Sequence, residues 1–317
     1  MTVRRPLVVG EVLFDRFPGG QRILGGAPFN VAWNLQGLGL MPLFISAVGA
    51  DEEGREVREK MEAWGMDTTA VQVTEKWPTG QVRVEVTDGE PHYQILDKQA
   101  YDDIHCPDFD ELPGGFPLLY LGSLAYRSVT SRSTIRRLMR DLDVPRFVDI
   151  NIREPWFDPD LAGELLSGAA WVKLNRQELS VLAGTDCQTE GQVAEAVAIL
   201  RSLDRGQIFF ITCGAAGAFA IDKHGELLFA ESPTPDPLID AVGAGDAFAS
   251  AVIAGIDRGL PLTKILTTAV DYASATCSLQ GATTTEPTHY RLPATRHSPH
   301  REETIHLPLR TTKEQHL

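Results

Sequence analysis

The first apolar run of the chain is broken by a charge. Leu7, Val8 and Val9 are followed by Gly10-Glu11 and then by Val12, Leu13 and Phe14, which predicts a strand over 7–14 interrupted at Glu11. A Gly/Pro stretch, Phe17-Pro18-Gly19-Gly20, precedes Gly25-Gly26. From Ala27 the residues Phe29, Ala32, Trp33 and Leu35 fall at helical spacing and read as core. Residues 43–48 are almost continuously apolar, as in a strand buried on both faces. Asp51 is placed to cap a helix that carries Val57, Met61 and Trp64 on one face and closes at Gly65.

Residues 79–95 follow a different rule. Val82, Val84 and Val86 alternate with Gln81, Arg83, Glu85 and Thr87, and Asp88-Gly89 supplies a hairpin turn. The pattern predicts a half-buried antiparallel ribbon that leaves the main sheet and covers a site. Beyond it, strands are expected at 118–121, 146–150, 170–174 and 208–212, with a hairpin-like pair at 217–221 and 226–229. Helical patterns occupy 190–203, 244–258 and 262–279. Such alternation implies a mostly parallel sheet with helices on both faces, and ligands in such sheets sit at the carboxyl ends of the strands. Residues 1–296 are expected to form one α/β domain, with lid segments at 12–24 and 71–95 and an extension over 297–317.

At 317 residues the chain is long enough to bury a large core without staples. Its net charge of −14 makes it a poor partner for nucleic acid, although backbone amides can still bind an anionic ligand. Its apolar runs are too short to span a bilayer, and its start has no apolar signal core, so the expectation is a cytoplasmic protein with no membrane partner. Cys106, Cys187, Cys213 and Cys277 form no Cys-x-x-Cys pair, and no His-Glu-x-x-His occurs, so neither a disulfide framework nor a zinc site is indicated.

The candidate chemistry lies in Asp240-Ala241-Val242-Gly243-Ala244-Gly245-Asp246. Small residues where a loop enters a helix let a ligand approach the first free amides, and the helix dipole favours an anion there. Neither a Gly-x-x-x-x-Gly-Lys-Ser/Thr loop nor a Gly-x-Gly-x-x-Gly after the first strand is present, which argues against P-loop and dinucleotide folds. An Asp at a helix N-terminus is expected to have a low pKa.

Four segments in order resemble one family: Gly25-Gly26-Ala27-Pro28-Phe29-Asn30, Asn175-Arg176-Gln177-Glu178, Thr212-Cys213-Gly214-Ala215-Ala216-Gly217 and Gly243-Ala244-Gly245-Asp246. They are similar to the motifs of the ribokinase-like, or PfkB, carbohydrate kinases over residues 7–282. The early Gly-Gly-Ala-Pro-x-Asn and the central Asp149-x-Asn151-x-Arg153 look most like bacterial fructokinases. The resemblance implies a three-layer α/β fold, with a mostly parallel central sheet, helices on both faces and a small β-sheet lid. It implies an ATP- and Mg2+-dependent enzyme that phosphorylates a primary hydroxyl of a small sugar. By the family pattern Asp246 is the catalytic base, and Gly243, Ala244 and Gly245 form the anion hole. Asp15, Gly26, Asn30 and Arg153 match substrate-binding positions. Asn175, Glu178, Thr212, Gly214 and Gly217 match nucleotide-binding positions, with Glu178 holding Mg2+ through water and Asp240 a candidate for a monovalent cation such as K+.

Ala241 stands where the family usually has threonine, and His92-Tyr93-Gln94 lacks the arginine suited to a sugar acid. D-fructose is therefore the preferred substrate, with ribose, 2-keto-3-deoxygluconate or a nucleoside as alternatives, and a non-catalytic sugar-binding regulator as a rival of another class. An exposed ribbon edge makes a homodimer through the lid a further expectation.

Overall fold

The computed structural model describes residues 4–87, 90–108, 115–201 and 206–292. The expected turn at Asp88-Gly89 and the extension over 297–317 lie outside the described residues.

The main sheet begins with β1 (Leu7–Val9). At Gly10 the chain leaves it, and β2 (Leu13–Arg16) pairs instead with β3 (Arg22–Gly25) in a second, smaller sheet. The charged break at Glu11 is thus a change of sheet. The first helix, α1 (Ala27–Gly37), starts at Gly26, carries Pro28 in its first turn, and buries Phe29, Ala32, Trp33 and Leu35. β4 (Leu43–Gly49) is buried along its whole length. α2 (Glu52–Ala63) is capped by Asp51, whose side chain accepts from the Gly54 amide.

β5 (Val71–Thr74), expected in the lid, lies in the main sheet. It pairs parallel with β4, with Val71 opposite Ser46, because Val71 is buried in the core. The second part of the small sheet therefore starts at Gly80. It consists of β6 (Gly80–Thr87) and β7 (Glu90–Ile95), which pair antiparallel, while β6 runs parallel to β2. The expected two-faced character holds: Val82 and Val84 are buried, and Arg83 and Glu85 are exposed.

The rest alternates strand and helix: β8 (Leu119–Gly122), α3 (Val129–Asp141), β9 (Arg146–Asp149), α4 (Pro159–Leu166), β10 (Trp171–Asn175), α5 (Arg176–Ala183), α6 (Glu190–Arg201) and β11 (Ile208–Thr212). An antiparallel pair, β12 (Gly217–Ile221) and β13 (Leu227–Glu231), closes one edge. Two helices follow, α7 (Ala244–Asp257) and α8 (Leu262–Thr276), the latter ending before residues 277–279. The main sheet has the order β13-β12-β11-β10-β9-β8-β1-β4-β5, and the small one β3-β2-β6-β7. One core lies between the sheet and α3–α6, and the other between the sheet and α1, α2, α7 and α8. The architecture is α/β in three layers, and the carboxyl ends of β1, β8, β9, β10 and β11 open on one side. Among the described residues no helix is long and apolar enough to cross a membrane.

Candidate active site

Asp246 lies in the first turn of α7, 8% exposed. The helix is entered through Gly243 in the left-handed region (φ 79°), where a Cβ would stand 2.2 Å from the Ala282 Cβ. No side chain caps this helix; the Ala244 amide donates to the Ala241 carbonyl at 3.3 Å, and the Gly245 and Asp246 amides follow it at the mouth of the helix. Asn30 donates through Nδ2 to Asp246 Oδ2 at 2.8 Å. Burial raises the pKa of Asp246, against the opposing effects of Asn30, Lys173 and Arg153. The low pKa expected from the helix terminus is corrected: removal of the carboxylate from water outweighs the dipole.

Asp15, at the third position of β2, is half-buried, and burial raises its pKa to about 6 while Arg153 opposes the shift. Gly26 adopts φ 109°, and a Cβ there would stand 2.7 Å from the Glu11 carbonyl oxygen. That contact packs the start of α1 onto the crossing between the two sheets. Arg153 is exposed on the loop after β9, and its charge acts on Glu11, Asp15 and Asp246 alike. Tyr93 on β7 is half exposed, and its pKa is raised by partial burial and by Asp15 and Asp240. The small sheet thus reaches over the acidic side of the site.

On the other side, Asn175 and Glu178 form a reciprocal cap at the start of α5. Asn175 Oδ1 accepts from the Glu178 amide at 2.8 Å, and Glu178 Oε2 accepts from the Asn175 amide at 2.7 Å. The second carboxylate oxygen of Glu178 accepts from the Ile152 amide at 3.1 Å, tying α5 to the loop that carries Arg153. Thr212 is directly opposite Asn175 in the parallel pair β10–β11. Behind it, Gly214 has φ 59° with open space around it. Gly217 has φ 122°, and a Cβ there would stand 2.0 Å from the Ala230 carbonyl oxygen. Asp240 accepts from the Val242 amide at 3.0 Å and the Gly281 amide at 3.2 Å, which fixes the loop leading to Gly243.

The structure therefore brings Asp15, Gly26, Asn30 and Asp246 together at one end of the site. Asn175, Glu178 and Thr212 lie at the ends of neighbouring strands, and Arg153 stands at the rim. Two groups were missed by sequence reasoning. Glu11 was read only as a break, yet it is 5% exposed, its Oε2 has no partner, and burial raises its pKa to about 7. Lys173 and Asp149 form a buried pair, Nζ to Oδ1 at 3.0 Å. The signal for Lys173 was available, since it is a lone charge in the apolar run Trp171-Val172-Lys173-Leu174.

The family model of pfkB family carbohydrate kinases matches residues 10–289. A fructokinase of Klebsiella pneumoniae is 29% identical over 271 residues, covering 80% of this chain and 85% of its own. The fold is similar to that of fructokinase from Vibrio cholerae O395, solved with fructose, ADP and calcium ion (TM-score 0.75, 20% identity, 92% of this chain and 99% of that one). It is equally similar to Arabidopsis thaliana ribokinase, solved with ribose and ATP (TM-score 0.75, 21% identity, 89% and 95%). With a ribokinase-like fold, an open helix N-terminus beside a buried aspartate, and a family match across nearly all the described residues, the chain belongs to the pfkB family of carbohydrate kinases.

Proposed function

We propose that the chain transfers the γ-phosphoryl group of ATP to a primary hydroxyl of a neutral sugar, with D-fructose preferred. The observation that carries this reading is the buried Asp246 carboxylate, held by Asn30 and bordered by Gly243, Ala244 and Gly245. Asp246 accepts the hydroxyl proton, and its raised pKa makes it a better acceptor than an exposed aspartate. The amides of the 243–245 turn, of which Ala244 would give up its 3.3 Å bond to the Ala241 carbonyl, take up charge on the moving phosphoryl group.

Asp15, Gly26 and Asn30 hold the sugar. Glu11 Oε2 and Asn30 Oδ1 are buried acceptors without a partner, which suits the hydroxyl donors of a polyol. Arg153 acts on all three carboxylates Glu11, Asp15 and Asp246, with Arg127 acting also on Glu11 and Lys173 on Asp246; carboxylate acceptors on this side of the site suit a neutral ligand better than a sugar acid or sugar phosphate. Kinship with fructokinases supports the ketose.

Asn175, Glu178, Thr212, Gly214 and Gly217 receive the nucleotide. Among the described residues no cluster of His, Cys, Asp and Glu could cage a metal. Glu178 keeps lone pairs free beyond its two amide bonds, which suits a Mg2+ ion carried by the phosphates in its own water shell. When bound, that ion neutralises phosphate charge. Asp240 likewise has capacity for a monovalent cation beside its two amides. The outer edges of β3 and β7 end the small sheet, and pairing across a two-fold axis would cover one of them.

A coupled ADP-release assay with neutral ketoses, ribose, 2-keto-3-deoxygluconate and nucleosides tests the reading. Fructose is expected to give the highest kcat/KM. A higher value for the sugar acid or a nucleoside would overturn the substrate and leave the kinase chemistry standing. Sugar binding without ADP release would replace the enzyme with a regulator.

A further inference from the structure

Lys173 is a charge in the middle of a buried strand. It is 3% exposed, flanked on β10 by Val172 and Leu174, each fully buried. Its Nζ donates to Oδ1 of Asp149, itself fully buried at the end of β9, and the other oxygen of Asp149 accepts from the Tyr120 hydroxyl at 3.4 Å. An ammonium has three N–H donors, and Asp149 takes one. The ammonium also lies beside the anion loop: a Cβ on Gly245 would stand 3.1 Å from Nζ and 3.8 Å from Cε. Gly245 thus leaves open the space through which Lys173 reaches the mouth of the helix.

As a core device such a pair gains little, because well-packed apolar residues of similar volume serve a core at least as well. Burial works against the charge on Lys173, and the carboxylates of Asp149, Glu178 and Asp246 outweigh it, so the side chain remains an ammonium at neutral pH. Two of them, Glu178 and Asp246, are the groups to which the reading above gives the metal and the proton. A cation fixed there, in low dielectric and already oriented, acts more strongly on developing charge than one that must leave water.

We propose that Lys173 is the fixed cation of the phosphoryl-transfer site, donating from Nζ to the transferring phosphoryl oxygens past Gly245, while Asp149 holds it in place. In the step it serves, the acceptor oxygen bonds to the γ-phosphorus as the bond from that phosphorus to the β–γ bridging oxygen breaks. The hydroxyl proton passes to Asp246, and ADP leaves with the electron pair of the broken bond. Lys173 keeps its protons throughout and stabilises the charge on the oxygens between donor and acceptor.

The inference rests on phosphoryl transfer at Asp246, which wild-type turnover in the same assay tests separately. K173M is expected to lower sugar-dependent ADP release by about 10²–10³-fold. Binding of ADP and of sugar should change less than about threefold, and affinity for ADP with aluminium fluoride, a mimic of the moving phosphoryl group, should fall in step with turnover. Retained turnover in folded K173M would overturn the proposal. Because K173M leaves Asp149 unpaired, K173M/D149L removes both charges and guards against misfolding. A folded double variant as active as wild type would show the pair to be structural only. In the wild-type protein, lysine labelled with 15N provides a further reading. Lys173 is the only buried lysine among the described residues, so its ammonium signal should exchange slowly. That signal should move when ADP, aluminium fluoride and sugar are added together, and should stay in place with sugar alone. A signal that ignores the phosphoryl mimic would sink the idea whatever the variants do.

Discussion

The Asn30 carboxamide donates to Asp246 Oδ2 at 2.8 Å, joining the first turns of two helices 216 positions apart in the chain. The bond favours the charged carboxylate, while burial favours the neutral acid. The base therefore works only above a raised pKa, and Asn30 sets how far it is raised.

Asp246→Asn removes the proton acceptor and keeps the shape. Turnover is expected to fall by about 10²–10⁴-fold with melting temperature and ADP binding preserved. Steady-state kinetics beside a thermal melt checks it, and a variant retaining half of wild-type turnover would refute the assignment. Asn30→Ala should act through the same carboxylate: with the donor gone its pKa rises, so the acid limb of the kcat–pH profile moves to higher pH.

Glu11 gives a pH dependence of stability. Its pKa is about 7 in the fold against an ordinary 4.5, so the folded state holds the proton more tightly. Its contribution to stability is complete below 4.5 and is lost as pH rises through about 7. Glu11→Gln removes the ionisation, and the variant should gain melting temperature over wild type at pH 8 and show little difference at pH 5. An equal difference at both would mean that the pKa of Glu11 is not raised in the fold.

Gly217 and Gly214 separate backbone strain from collision in the nucleotide turn. Gly214→Ala meets open space and should cost about 1 kcal/mol for its positive φ alone. Gly217→Ala also drives a methyl into the Ala230 carbonyl oxygen, and should cost about 1–3 kcal/mol more and raise the KM for ATP. Equal melting temperatures would show that β13 moves aside freely.

The small sheet is expected to respond to ligand. Amide exchange in β6 and β7 should be faster than in β4 without sugar, slow with sugar, and slow further with a nonhydrolysable ATP analogue. Exchange as slow as in β4, and blind to sugar, would make this sheet a fixed part of the core.

Much of the site was legible because its parts are local. The small residues at 243–245, the cap between Asn175 and Glu178 and the glycines at 214 and 217 each declare a backbone conformation in a few adjacent letters. What escaped the sequence depends on packing. Val71-Gln72-Val73-Thr74 alternates as well for an edge of the main sheet as for the lid, and only the burial of Val71 beside β4 decides it. The dipole acting on Asp246 is readable from its place in a helix, whereas its burial is created by α1. Glu11 reads as an interruption until β2 is seen to join β6 in another sheet.

The loop that leads into α7 leans on residues that come after α8. Ala282 fills the space beside Gly243, the Gly281 amide holds Asp240, and the Thr284 carbonyl accepts from the Trp33 indole at 2.9 Å. None of these residues carries charge, and none would be chosen for mutagenesis on chemical grounds. A chain cut just past α8 would keep every acid, base and cation of the candidate site and lose the wall that gives them a fixed distance, so the smallest working unit ends well after α8.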